Sequence, residues 1–233
     1  MAVCISVLSL VWSSSSLYDS TLGLLLTPAD STLGDDACVA LPQDRCVGGV
    51  PPRSQLQGVA AMYICRAMRQ ADSGVLIFGT GFDSPMWLNN TRAKTVFLER
   101  HREWVSFQPK DVQQRTELVQ YTTVLRWPYV PWQPVPPASH FALFMASLPL
   151  HVRSRQWDVI LVDSPEGADS GDPGRSQSIF AARSLLRKGG IVFVDDYDRY
   201  AERRFVAEFF GGFRRQVFSN GHRGQTVALC SGT

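Results

Sequence analysis

Four short, nearly uninterrupted apolar runs constrain this chain more than any other feature: Val75–Phe78, Thr95–Leu98, Trp157–Val162 and Ile191–Val194. A strand with one wet face alternates apolar and polar residues. Runs of Val, Ile, Leu and Phe without alternation belong to strands covered on both faces, as in a parallel sheet between helices. The segments between them fit that reading. From Ser54 to Gln70, Leu56, Val59, Ala60, Tyr63, Ile64 and Ala67 recur at intervals of three and four, which predicts an amphipathic helix with Ser54 as its cap. A helix is expected near Arg100–Val105, a strand at Leu118–Val124, and a helix over Ser176–Leu186 stopped by Lys188-Gly189-Gly190. Phe213–Ser219 and Thr226–Cys230 flank a Gly-rich turn and predict an antiparallel hairpin. The stretch Trp127–Pro137 (WPYVPWQPVPP) can be neither regular helix nor central strand. Together these elements predict an α/β fold, a three-layer sandwich whose mostly parallel sheet ends in an antiparallel hairpin.

Organisation along the chain is uneven. Residues 1–50 are rich in Ser, Gly, Asp and Leu without a period, and read as a partly ordered N-terminal arm; residues 51–233 hold every periodic element. At 233 residues, one domain with an appendage is the natural division. The net charge of +2 argues against a dedicated nucleic-acid binder. Only Lys94, Lys110 and Lys188 are lysines, so the other 20 basic residues are arginines, which suit carboxylate recognition as readily as they reflect coding bias. No apolar run reaches the roughly 18 residues that span a bilayer. Residues 1–12 resemble a signal h-region without a preceding basic residue. Cys4, Cys38, Cys46, Cys65 and Cys230 contain no CxxC pair, which excludes a zinc ribbon or a disulfide-rich scaffold. Free thiols are the default expectation, with a Cys38–Cys46 bridge as the secretory alternative.

Chemistry concentrates after the strand ends. Val75–Phe78 runs into Gly79-Thr80-Gly81-Phe82-Asp83-Ser84, a Gly-x-Gly turn where the backbone bends sharply and a ligand approaches closely. Glu99 follows Gly79 by twenty residues, at the end of the next strand, where a carboxylate can accept from both hydroxyls of an adenosine ribose. Ser84 replaces the third glycine of a dinucleotide fingerprint, and Phe82 and Asp83 crowd a pyrophosphate. A cationic amino-acid cofactor such as S-adenosylmethionine fits better. Further on, Asp163 ends one buried run, and Asp195 and Asp196 end another. Ligands bind beyond such ends in open α/β sheets. Three acids there suit a general base for a hydroxyl acceptor or a site for a hard divalent metal; capping of the following loops is the bland alternative. Arg175, in the loop after Asp163, either clamps an acidic substrate or faces solvent. His101 and His151 read as surface or loop side chains.

The strand–helix order is that of the Rossmann-like methyltransferases. The motifs themselves resemble a plant family with a polysaccharide-biosynthesis domain, which includes glucuronoxylan 4-O-methyltransferases, arabinogalactan glucuronic-acid methyltransferases and irregular-xylem proteins. The matching stretches are VLIFGTGFDSPMW (75–87), TVFLER (95–100), WDVILVDSPEG (157–167), DPGRSQSIFAA (172–182) and VFVDDYDR (192–199). Thr80, Phe82 and Asp195 depart from the usual pattern, the last standing where a histidine is common. The resemblance implies S-adenosylmethionine-dependent methylation of the 4-hydroxyl of glucuronic acid on a glycan. Gly79, Gly81, Asp83, Ser84 and Glu99 would line the cofactor site, and Asp163, Asp195 and Asp196 would face the acceptor with Arg175 nearby. Trp127, Tyr129 and Trp132 offer a sugar-stacking wall or a stiff crossover. The resemblance implies a Golgi lumen location; without a signal the chain would be cytoplasmic. A metal-dependent small-molecule O-methyltransferase and a non-catalytic glycan-binding relative stay open beside this reading.

Overall fold

The computed structural model describes residues 38, 42, 44–126, 130, 132–220 and 224–230. Most of the expected arm lies outside them, as do Trp127, Tyr129 and His222.

Seven strands form one sheet: β1 Gly74–Phe78, β2 Lys94–Glu99, β3 Thr116–Leu118, β4 Trp157–Val162, β5 Leu186–Val194, β6 Arg214–Ser219 and β7 Gln225–Cys230. Their spatial order is β3-β2-β1-β4-β5-β7-β6. The first five are parallel, and β7 runs antiparallel to both β5 and β6. The expected α/β sandwich with its antiparallel end is therefore present. The chain leaves β1 toward one edge and returns through β4 on the other side, so a topological switch point falls between these two strands.

The continuous apolar runs fill both faces, as side-chain alternation along a strand requires. Leu76, Phe78, Leu98, Ile160, Val162, Val192 and Val194 pack on one face with helices α5 (Ala138–Ser147), α7 (Ser176–Leu185) and α8 (Tyr200–Phe209). Val75, Ile77, Phe97, Leu161 and Phe193 pack on the other with α1 (Gly58–Arg69) and α2 (Ser84–Asn89). All twelve of these strand residues are no more than 2% exposed, so neither face of the central sheet touches water. The short helices α3 (Arg102–Phe107), α4 (Lys110–Gln113) and α6 (Leu150–Arg153) lie in the connections after β2, before β3 and before β4.

Local differences from the expected elements have physical causes. Helix α1 begins at Gly58, not after Ser54, because the Ser54 hydroxyl is held by the Leu56 carbonyl at 2.8 Å and by Asp83 Oδ2 at 2.9 Å. The strand expected at 118–124 ends at Leu118. Beyond it, the Thr122 N–H donates to Gln177 Oε1 (2.9 Å), the Thr123 hydroxyl to the Pro173 carbonyl (2.9 Å) and the Leu125 N–H to the Asp172 carbonyl (2.7 Å), which draws the segment off the sheet. Lys188-Gly189-Gly190 does not stop a helix. Helix α7 ends at Leu185, and these residues form a bulge in β5, where pairing passes from Trp157↔Leu186 to Val159↔Ile191. A Cβ on Gly190 would lie 2.7 Å from the Asp158 carbonyl oxygen, so this glycine permits the bulge.

The cysteine expectation is corrected. Cys38 pairs with Cys230 and Cys46 with Cys65, at Cα separations of 5.6 and 5.5 Å. Both fall within the range a disulfide bridges. Cys38 and Cys46 do not pair because one meets the last strand and the other meets α1. Residues 38 and 46 are thereby fastened to the folded unit. No helix among the described residues is long and apolar enough to cross a membrane.

Candidate active site

A cavity of about 320 Å³ opens at the C-terminal ends of β1, β2, β4 and β5, across the switch point. Gly79, Gly81, Asp83, Glu99, Asp163, Arg175 and Asp196 all line it, so residues spread over more than a hundred positions converge as the sequence predicted. Ser84 and Asp195, expected beside them, do not reach its wall.

The β1–α2 turn forms one side. Gly79 has φ of +107°, and a Cβ there would sit 2.8 Å from the Ser164 Cβ, so the turn needs glycine on both counts. The Ser84 hydroxyl accepts the Gly81 N–H at 2.9 Å and is buried, which makes it a prop inside the turn rather than a ligand contact. Asp83 is buried against Ser54, and burial raises its pKa while the Ser54 hydrogen bond opposes the shift.

Glu99 ends β2 with its carboxylate fully engaged. Oε2 accepts the Thr80 N–H (2.9 Å) and hydroxyl (3.1 Å); Oε1 accepts the N–H groups of Arg100 (2.7 Å) and His101 (2.8 Å). A carboxylate offers about four acceptor positions, so a ribose would bind here by displacing the Thr80 contact. The sequence showed the acid but not this tie between the first two strand ends. His101, expected at the surface, lines the cavity instead and lies 3.0 Å from Glu166 Oε1, which also pairs with Arg100 at 2.7 Å. This clasp joins the end of β2 to the loop after β4.

The opposite side is acidic and organised by Arg175. Its guanidinium is 4% exposed and donates to the carbonyls of Pro165 (3.2 Å), Asp195 (2.8 Å) and Asp163 (3.1 Å). The same group pairs with Asp163 Oδ1 at 3.3 Å and Asp196 Oδ2 at 2.7 Å. Arg175 is therefore not a solvent-facing loop residue; its described partners are the protein's own carbonyls and carboxylates. It holds the ends of β4 and β5 in register and neutralises the acids between them.

The three predicted acids differ in role. Asp163 keeps 23% of its side chain exposed to the cavity. Burial and the Asp195 carboxylate push its pKa well above the usual range, against the pull of Arg175. Asp195 is turned away: its Oδ1 accepts the Thr226 hydroxyl (2.6 Å) and the Asn220 amide (2.9 Å), both from the terminal hairpin. It anchors β7 beneath the site. Asp196 adopts φ of +56°, a left-handed backbone costing about 1–2 kcal/mol outside glycine. That bend brings it to Arg175 and to Arg199, 3.0 Å away.

One oxygen from each of Asp163, Asp195 and Asp196 lies within 4.8 Å of the others, the spacing of a metal-ligand group. However, the Arg175 guanidinium already sits against two of the three, so a divalent cation would have to displace it. The donor set fits an arginine-neutralised cluster. Beneath it, Glu202 of α8 is fully buried with no hydrogen-bond partner on either oxygen, and burial pushes its pKa up to about 7 despite Arg175 and Arg199. Nothing in the sequence distinguished Glu202 from an ordinary helix-surface glutamate.

The comparisons agree with the motifs. The family model described as IRX15/IRX15L/GXM matches residues 133–220. Arabinogalactan O-methyltransferase 1 of Arabidopsis thaliana is 35% identical over 159 residues, covering 60% of this chain and 55% of its own length. Protein IRX15-LIKE of the same plant is 37% identical over 158 residues, covering 58% and 49%. Glucuronoxylan 4-O-methyltransferase 2, also from Arabidopsis thaliana, is 32% identical over 169 residues, covering 64% and 57%. The chain thus spans about half the length of the curated relatives it matches. Among solved structures, an SAH-bound methyltransferase of Podospora anserina, PaMTH1, aligns over 81% of this chain and 85% of its own at 12% identity and a TM-score of 0.47. The resemblance to the polysaccharide-biosynthesis family is borne out by the family model and these relatives.

Proposed function

With the IRX15/IRX15L/GXM match as premise, we propose that this chain is an S-adenosylmethionine-dependent O-methyltransferase acting on a sugar hydroxyl, the 4-hydroxyl of a glucuronic acid on a glycan. The observation that carries the proposal is the shared cavity: the Gly-x-Gly turn and Glu99 line the same space as Asp163, an acid with a raised pKa and an exposed edge.

The residues present fit the cofactor. Gly79 and Gly81 leave room at the turn, Glu99 would accept from a ribose in place of the Thr80 contacts, and Asp83, Glu99 and Asp163 make the wall suitable for a sulfonium cation. When bound, the cofactor supplies an electrophilic methyl group. The protein's own part is to orient the acceptor and manage one proton. In this reading Asp163 takes the proton from the attacking hydroxyl. Its elevated pKa makes it a better base than an ordinary aspartate, and Arg175 steadies its charged form. Asp196 and Asp195 hold the arrangement from either side.

A methyl-transfer assay against glucuronic-acid-bearing oligosaccharides and small phenols tests the reading. Transfer to the acidic glycan is expected; transfer only to phenols, or no affinity for S-adenosylhomocysteine, would overturn it. Chelation with EDTA separates the metal-dependent alternative. The rate survives if Arg175 is the counter-cation, and collapses if a metal takes its place.

The two disulfides support an oxidising compartment, since such bonds persist in secretory and extracellular spaces and are rare in the cytosol. The Golgi lumen is the compartment we propose; co-fractionation with Golgi markers, with a mobility difference between reduced and non-reduced samples of that fraction, would support it, and a reduced protein in the cytosolic fraction would overturn it.

A further inference from the structure

The cavity wall carries three arginines or histidines with carboxylate partners and, among the described residues, one cation without. His101 faces Glu166, Arg175 pairs with Asp163 and Asp196, and Arg199 pairs with Asp196, while Arg100 behind the wall also pairs with Glu166. Arg53 lines the cavity from the segment before α1, is exposed, and pairs with none of the described carboxylates. It is not left to wander. Its guanidinium carbon lies 5.5 Å from the centroid of the Phe82 ring, and Phe82 meets Trp104 edge-on at 5.9 Å. Its neighbour Ser54 is buried and bound to Asp83, which fixes the backbone at its base. Phe82 and Trp104 are both 41% exposed at the same opening.

We propose that Arg53, held over Phe82, is the carboxylate-binding residue of this cavity. The argument is one of charge. Asp83, Glu99, Asp163, Glu166 and Asp196 also line the wall, and the described ion pairs of His101, Arg175 and Arg199 are with acids of this set, so Arg53 is the wall cation whose charge no described carboxylate offsets. A guanidinium is planar and can bind a carboxylate through two parallel N–H donors. Stacking on an aromatic face pre-orients it and leaves its N–H edge available. This inference rests on the methyltransferase reading, which supplies two possible carboxylates: the amino-acid end of the cofactor and the uronate of the acceptor.

The test separates these sources by calorimetry on the wild-type chain and Arg53→Gln. One pair of probes is S-adenosylhomocysteine and 5′-methylthioadenosine, which lacks the amino-acid carboxylate. The other is a glucuronic-acid-bearing xylo-oligosaccharide and its carboxyl-reduced form, both titrated in the presence of the nucleoside. Arg53→Gln is expected to weaken one carboxylate ligand by about tenfold or more, the scale of a charge-assisted hydrogen bond, and to leave its neutral counterpart within about twofold. Arg53→Lys should recover part of that loss. Phe82→Leu, which keeps the charge but removes the ring beneath it, should cost about two- to fivefold in the same arm. The arm that falls identifies the ligand. If both carboxylate ligands bind Arg53→Gln as tightly as wild type, or the neutral probes weaken equally, the inference is wrong while the enzyme reading stands. A wild-type chain that binds neither nucleoside would remove both.

Discussion

Asp163 and Glu202 are two acids whose titration has opposite consequences. Asp163 faces the cavity, and its raised pKa delays formation of the basic carboxylate. The rate should therefore climb with pH along a limb displaced above the ordinary aspartate range. Asp163→Asn should lose about a hundredfold or more in kcat with S-adenosylhomocysteine affinity preserved, as expected for removal of a general base; full turnover in that variant would sink the assignment. Glu202 faces no ligand. Its folded pKa is raised to about 7, so the folded state holds its proton more tightly than the unfolded chain does. The stability this contributes is fully present below about pH 4.5 and is lost as the pH rises through 7. Glu202→Gln keeps the shape without the titration. Its melting temperature should exceed that of wild type at pH 8, by an amount corresponding to about 3 kcal/mol at most, and the gap should close toward pH 5. A constant gap across that range would show that Glu202 does not titrate as described.

The turn between β1 and α2 is the element on which the site depends, and it is the part most legible in the sequence. A continuous apolar run, two glycines and a downstream acid fix the strand, the bend and the second strand end, because each answers to a local rule of burial or backbone conformation. Gly79→Ala meets a positive φ and the Ser164 Cβ at 2.8 Å. It should destabilise the fold by about 1–3 kcal/mol and weaken S-adenosylhomocysteine binding, measurable together by thermal shift with and without the ligand. What the sequence could not show is where side chains turn once the elements meet. Asp195 and Asp196 are adjacent and chemically identical. Yet one is bound by Thr226 and Asn220 from a hairpin thirty residues on, and the other is bent by a left-handed backbone into the cavity. Arg175 looked like a loop residue because its burial comes from the strand ends above it, which no local pattern encodes. The bulge at Lys188–Gly190 deceived for a similar reason: a basic residue followed by glycines stops helices and forms bulges alike.

At the scale of the whole molecule, two covalent links join distant segments. Cys38–Cys230 closes a span of 192 residues and Cys46–Cys65 a span of 19. On a chain-entropy estimate the longer link stabilises the fold by about 5 kcal/mol and the shorter by about 3 kcal/mol. Reduction should lower the melting temperature markedly, and Cys38→Ser should lower it more than Cys65→Ser; equal melting with and without reductant would show that the bonds are dispensable. The longer link also imposes an order on biosynthesis. Synthesis runs from the N-terminus, so Cys38, Cys46 and Cys65 all meet the oxidant before Cys230 exists. The two that are nearest in sequence, Cys38 and Cys46, are a pair the finished fold never makes. Correct maturation must leave Cys38 unpaired, or undo its premature bond by thiol exchange, until β7 has been made and inserted between β5 and β6. The strand that completes the sheet thus also brings the sulfur that Cys38 must wait for, and a maturing chain remains exposed to mispairing until that strand has been translated.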